Sequence, residues 1–480
     1  MRKKAMVRIL RRIGIFALLV LLAGPVRAQY TRLSAWAAQT GFNPAAVSGA
    51  DALFLNPAAL MNAGVTGPRL RLMELGGLAG GSLARFDLYN RYLAAGRHLT
   101  PAEVDRMLDA WFGSADAWRT AGEAVEVTPL ALTHTGWWSA WGVAWRVRQQ
   151  QRLWMNRGLP DVLLKGTEEP RTVPVNGEFQ AMTYHELVVG YARKLNPDLI
   201  VGVAPRLLLG SHYVRGTMRS TVTVGTAEVV HRYAYTLDLT GAASELLEGF
   251  DLFDNRRMNE EAGDGIARQM AGLRQQGWGL GLSLGAQYRL LPGLLLGASL
   301  TDLGFLRWKN VKRHTPGDSV FAFAGVQLDM DWLRTEFDND LGAYIEHQLD
   351  SLARAAYEDV RVQETGVTTM LPAALHLGAT YWLGGTTRLH ATLSLGLNRT
   401  GTNGARVPQL VLGAETRWSF LPLFGGVLTG GDGALMLYGG TGLQLRAWGL
   451  RLAAAGSPRS HLMGSGSRFM LMLSLTHVGF

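Results

Sequence analysis

The sequence contains no cysteine, so it has no disulfide framework, no thiolate metal site and no cysteine-borne lipid anchor. Beyond residue 28 no uninterrupted apolar run reaches the roughly 20 residues a spanning helix requires. His134, His185, His212, His376 and His390 are scattered, with no His-Glu-x-x-His spacing to hold a metal. The single Gly-x-Ser-x-Gly match, Gly281–Gly285, lies inside an alternating run and not at a strand-to-helix elbow, and no glycine-rich phosphate loop occurs, so neither a catalytic centre nor a cofactor is expected. The formal charge of +9 includes seven Lys/Arg and no Asp/Glu in residues 1–28; without them it falls to +2. The basic residues elsewhere do not cluster, and no nucleic-acid partner is expected.

What is present begins with a leader. "MRKKAMVRILRR" precedes the apolar "IGIFALLVLLAG", and Val26-Arg27-Ala28 forms a small-x-small cleavage pattern. Residues 1–28 therefore read as a signal peptide. Glycine, at 59 of 480 residues, stands well above the usual level of about 7%. A glycine-rich, cysteine-free exported chain without a spanning helix points to an all-β protein. Alternation supports that reading. In "WWSAWGVAWRVRQQ", Trp137, Trp141, Val143, Trp145 and Val147 share one face, and Ala140, Gly142, Ala144, Arg146 and Arg148 share the other. "GLGLSLGAQYRL" and "RLHATLSLGLN" repeat the pattern, as lipid-facing and lumen-facing residues do along a barrel strand. The final strand ends in Phe480, an aromatic residue suited to a signal for barrel-assembly machinery.

Fourteen strands are expected, with twelve to sixteen allowed, in a transmembrane antiparallel β-barrel spanning 67–480. Connections alternate long and short, and aromatic residues crowd the short ones: Trp137, Trp138, Tyr288, Tyr381, Trp382, Trp418, Phe420 and Trp448. The long connections 78–122, 151–177, 214–277 and 309–369 would face outside. Thr100, Pro101 and Glu103 predict a capped helix to about Phe112, and helical spacing recurs over 341–356. Segments 220–240 and 319–332 alternate too, as external hairpins or as further barrel strands. Proline at 205 and 408 falls inside expected strands, where it marks a strand start or a distortion.

Residues 29–66 form the N-terminal segment, with Asn43-Pro44-Ala45 and Asn56-Pro57-Ala58. Locally each reads as a helix start; between a leader and a barrel, with apolar Phe54 and Leu60, the segment reads as a plug. "ADALFLNPAAL" resembles the Asn-Pro-Ala segment of the fatty-acid transporter superfamily of outer-membrane barrels (FadL-like, including the PorV-type proteins of Bacteroidota). "GLSLGAQYRLLPGLLLGASLTDLGFLRWKN" is similar to an uncharacterised branch of those barrels, through Thr301, Asp302, Leu303, Gly304 and Trp308. The resemblance implies a fourteen-stranded barrel closed from inside by its N-terminal segment, in the outer membrane of a Gram-negative bacterium. It also implies a hydrophobic or amphipathic small molecule as cargo, or a scaffold for secretion or surface-attachment proteins. Arg146, Arg148, Arg289, Arg388, His390, Glu415 and Arg417 fall on expected lumen faces, either as a network tying plug to wall or as a basic patch for an anionic substrate. The expected partners are outer-membrane lipids and the assembly machinery.

Overall fold

The computed structural model describes residues 32–479 apart from 64–65, 84, 94–98, 115–116, 166–168, 226–228, 241–274, 317–319, 324–333, 336–359, 399–407, 431–434, 446–448, 457–467 and 475–476. The expected leader, Trp448, the helix over 341–356 and Phe480 lie outside the described residues.

The strands, in chain order, are β1 (Gly67–Gly80), β2 (Arg119–Thr135), β3 (Ser139–Met155), β4 (Arg171–Lys194), β5 (Leu199–Val224), β6 (Val229–Thr240), β7 (Gly277–Leu291), β8 (Leu294–Pro316) and β9 (Val320–Phe323). They continue with β10 (Val360–Met370), β11 (Ala374–Gly384), β12 (Thr387–Gly396), β13 (Gln409–Trp418), β14 (Leu421–Gly430), β15 (Met436–Gln444), β16 (Gly449–Gly456), β17 (Arg468–Ser474) and β18 (His477–Gly479). β1 pairs with β2 on one side and with β17 and β18 on the other, which closes an antiparallel ring of fourteen staves. β18 prolongs the β17 stave, and β10 prolongs the β11 stave along the upper half of β8.

The outward row of β7 shows why the wall suits a bilayer. Trp278, Leu280, Leu282, Leu284, Ala286, Tyr288 and Leu290 alternate with inward Gly279, Gly281, Ser283, Gly285 and Gln287. Ten residues separate Trp278 from Tyr288. At about 3.4 Å per residue and a tilt near 40°, that is an apolar height of about 26 Å with an aromatic residue at each edge. Trp137, Trp138, Trp418 and Phe420 are exposed around the short turns.

Beyond that band one side of the wall continues upward. β5 runs on to Val224 and β8 to Pro316, past the ends expected from alternation. β6 pairs with the upper half of β5, then with β8 below and β9 above. The described parts of 220–240 and 319–332 therefore belong to an external extension of the sheet and not to the barrel ring. The reason for the difference is that backbone pairing does not stop where the membrane does. After two short helices near the N-terminus, α1 (Ala35–Gln39) and α2 (Ala52–Leu55), helix α3 (Pro101–Phe112) carries the full capping box, with the Thr100 backbone N–H donating to Glu103 at 3.0 Å. Arg157 and Lys165 tie it to α4 (Gly158–Lys165), reaching Asp105 at 3.5 and 2.5 Å. Val162 of α4 packs beside an apolar group of Val173, Val175, Val222 and Val224 on the raised wall.

Pro205 sits within β5. Its pairing with Leu282 of β7 is kept, whereas pairing with β4 lapses between Val188↔Arg206 and Tyr191↔Val203 without a change of register, because proline has no N–H to give. Pro408 directly precedes β13.

Candidate functional site

Residues 32–63 fill the lumen at the short-turn half of the barrel. They include two short helices, α1 (Ala35–Gln39) and α2 (Ala52–Leu55), and a 3-10 stretch at Pro57–Ala63. Leu53, Phe54, Leu55 and Leu60 are buried against Ala140, Ala144, Val188, Ala192 and Ala204 of the wall.

Both Asn-Pro-Ala segments engage the wall, and in the same way. The Asn43 side-chain oxygen accepts from the Ala45 N–H (2.8 Å), and that of Asn56 accepts from the Ala58 N–H (3.1 Å). The Asn43 amide donates to the carbonyls of Ala379 and Ala391 (2.8 and 3.0 Å); the Asn56 amide donates to those of Ala286 and Pro44 (3.2 and 2.6 Å). Each segment lies over a directly opposed pair of glycines, Gly378↔Gly297 for the first and Gly202↔Gly285 for the second. A Cβ on Gly378 would come 2.7 Å from Pro44 Cδ, and one on Gly297 2.7 Å from Ala45 Cα. The equivalents are 3.0 Å from Gly285 to Pro57 Cδ and 2.8 Å from Gly202 to Ala58 Cα. Only glycine lets the plug backbone approach this closely. The second dock (β5–β7) therefore repeats the first (β8–β11), displaced by two staves. The wall sequence repeats with it: Leu-Gly-Ala-x-Tyr-x-Leu runs at 284–290 and at 377–383.

Beside the second dock lies a layer of buried charge. Arg32, from the plug, donates to Asp51 (2.8 Å), Glu74 and Thr128 (2.9 Å), and its guanidinium is 3.5 Å from Glu126. Arg71 pairs with Asp51 and Glu74 at 2.5 and 2.9 Å. Arg146 bridges Glu186 (2.8 Å) and Glu126 (3.4 Å); Arg148 reaches Asp302 (3.0 Å) and Glu126 (3.2 Å). Arg206 pairs with Asp302 and, at 3.4 Å, with Glu186. Five guanidiniums thus face five carboxylates, and the layer is neutral overall. The Phe54 ring is at its centre, with the guanidiniums of Arg146, Arg32 and Arg206 at 4.0, 4.6 and 5.8 Å from its centroid.

Asp302 reaches this layer through a bulge. The β7–β8 register jumps from Leu284↔Leu300 to Leu282↔Leu303, and Asp302 has φ of 54°. The bulge leaves Asp302 facing inward while Thr301 Oγ1 lies 3.1 Å from His376 Nε2. Gly304 allows β7 to cross closely, since a Cβ there would meet Gly281 Cα at 2.7 Å. Above the charged layer the lumen turns apolar. Met182, Tyr184, Leu208, Tyr213, Leu306, Trp308, Val311 and Leu371 form one buried group. Trp308 stacks on Tyr213 at 5.2 Å and donates its indole N–H to Thr369 (3.0 Å).

Residues 100–423 match the model of a family of unknown function. The chain belongs to that family, DUF5723. No curated protein matches it. Among solved structures it is similar to the toluene transporter TbuX of Ralstonia pickettii, at 12% identity and TM-score 0.48, covering 94% of this chain and 99% of that one. The toluene transporter TodX of Pseudomonas putida gives 12%, 0.48, 95% and 100%. A FadL homologue of Pseudomonas aeruginosa gives 11%, 0.42, 95% and 97%.

In this DUF5723 chain the seven lumen candidates separate into three groups. Arg146 and Arg148 lie in the charged layer. Arg388, His390 and Glu415 form a second group, with Glu415 2.6 Å from Arg388 and 3.2 Å from His390; Gln39 of α1 donates to Glu415 (2.6 Å) and accepts from Arg451 (2.6 Å). Arg289 and Arg417 are exposed near the short turns and join neither group. Sequence reasoning passed over Arg32, Asp51, Arg71, Glu74, Glu126, Glu186 and Arg206. One signal was available: Glu126, Glu186 and Arg206 each occupy an inward position of an alternating strand, as Arg146 does.

Proposed function

We propose that this outer-membrane barrel holds a hydrophobic small molecule in the external half of its lumen, above a plug that closes the axial route. The observation that carries the reading is the change of lumen polarity across the Asp302 layer. Lumen-facing barrel positions are ordinarily polar. Here Leu208, Leu306, Trp308 and Tyr213 face inward instead, and such an apolar and aromatic lining is what a hydrophobic ligand site requires. Below it, Asn56, Pro57, Ala58, Phe54 and Leu60 act as the closing elements, and the paired arginines offer no spare charge to draw an anionic substrate downward.

A second reading has its own support. Phe54 caged by three guanidiniums sets charge between the apolar group above and the short-turn end, as suits a scaffold whose external sheet and helices meet a protein partner. Titration of the purified barrel with the fluorescent probe N-phenyl-1-naphthylamine separates the two. Saturable binding that Trp308→Ala weakens and Trp137→Ala leaves intact supports the ligand site. Unsaturable or unaltered binding favours the scaffold.

A further inference from the structure

The outer face of β8 changes character along its length. Its outward residues run Leu294, Leu296, Ala298, Leu300, Leu303 and Phe305, and then Arg307 and Lys309. The parity is fixed by Leu306 and Trp308, both fully buried toward the lumen. Arg307 pairs directly across the sheet with Trp278, the residue that ends the apolar row of β7, and the Trp278 ring meets Phe305 edge-on at 6.1 Å. An aromatic pair of this kind belongs at headgroup level. Arg307 is thus at the upper edge of the apolar band, and Lys309 lies about 7 Å farther along the strand.

Both cations are exposed, and among the described residues no carboxylate lies within ion-pair distance of either. The residues facing Arg307 from its two neighbouring strands are Trp278 and Thr368, neither of them charged. Higher on the wall the arginines do have partners: Arg313 holds Asp238 at 2.7 Å and Arg215 holds Glu178 at 3.0 Å. A guanidinium and an ammonium left unpaired beside an interfacial tryptophan fit a phosphorylated headgroup, which an arginine can bind through two parallel hydrogen bonds.

We infer that Arg307, Lys309 and Trp278 form a binding site for the phosphorylated glucosamine headgroup of lipid A in the outer leaflet. The leaflet follows from the direction of the chain, because short turns face the periplasm and this site lies at the long-loop end. The inference is independent of any ligand inside the lumen.

The test is native mass spectrometry of the full chain in detergent, offered bisphosphoryl lipid A, monophosphoryl lipid A or phosphatidylglycerol. The wild type should retain the bisphosphoryl form best, and the Arg307→Gln/Lys309→Gln variant should lose at least about tenfold in retention. Arg313→Gln, which alters a paired arginine, should retain it as the wild type does. Arg307 and Lys309 are exposed and Arg313 is half-buried, and a retained heat-modifiable gel shift verifies folding of each variant. Equal retention by wild type and double variant overturns the proposal, as does equal retention of phosphatidylglycerol and bisphosphoryl lipid A.

Discussion

Gly285→Ala should destabilise the barrel far more than a single methyl group usually does. The new Cβ would lie 2.9 Å from Asn56 Cγ and 3.0 Å from Pro57 Cδ, where relaxed carbon contacts are about 3.5–4.0 Å. Overpacking of that kind costs about 1–3 kcal/mol. Relief by moving Asn56 would strain its hydrogen bonds to the carbonyls of Pro44 and Ala286, each contributing about 1 kcal/mol. Against this stands a gain of about 0.5–1 kcal/mol from replacing a strand glycine. The net loss expected is therefore about 2–4 kcal/mol. Gly77 supplies the control, because a Cβ there meets nothing within 4 Å; Gly77→Ala should be neutral or slightly stabilising. Urea unfolding in lipid vesicles, followed by heat-modifiable mobility, measures both. Combining Asn56→Ala with Gly285→Ala removes the group being struck, so the pair should couple favourably by about 1 kcal/mol or more. If Gly285→Ala behaves like Gly77→Ala, or if the two losses simply add, the close-docking argument is wrong.

Three further outcomes follow from the same lumen. Glu186→Gln leaves Arg146 and Arg206 short of a buried counter-charge and should cost about 3–5 kcal/mol in the same unfolding assay. Phe54→Ala removes a fully buried ring together with its guanidinium contacts, and should cost about 3–5 kcal/mol while admitting small ions in planar-bilayer recordings; an unchanged conductance would show that the ring does not seal the layer. Asn43→Ala and Asn56→Ala should be destabilising to within about 1 kcal/mol of each other, since each amide makes two bonds to backbone carbonyls. A neutral Asn43→Ala would mark the first dock as ornamental.

The staves were legible because alternation is a local property: one residue's neighbours two positions away announce its face. The short turns and the capped helix at Pro101–Phe112 were legible for the same reason. The charged layer was not. Arg146 and Glu186 meet across adjacent strands, but Arg206 and Asp302 come together from residues 96 apart, and only after a bulge has turned Asp302 inward. Alternation alone does not distinguish Arg206 from Arg289, yet one is wholly buried and the other exposed at a rim. Asn43 was hidden differently. Its meaning lies in Gly297 and Gly378, residues that are far apart in the chain and opposed only once β8 and β11 have paired.

The paired docks also make the plug a gauge. Asn43 and Asn56 are thirteen residues apart in the chain, and their glycine floors are two staves apart around the ring. Both can seat only if the wall has the curvature and stagger that put those floors at that separation. A hairpin added or lost between β5 and β11, or a register slip there, would leave one Asn-Pro-Ala without its floor. The N-terminal segment thus checks the arc of wall from β5 to β11, and a miscounted arc would be left with a loose seal.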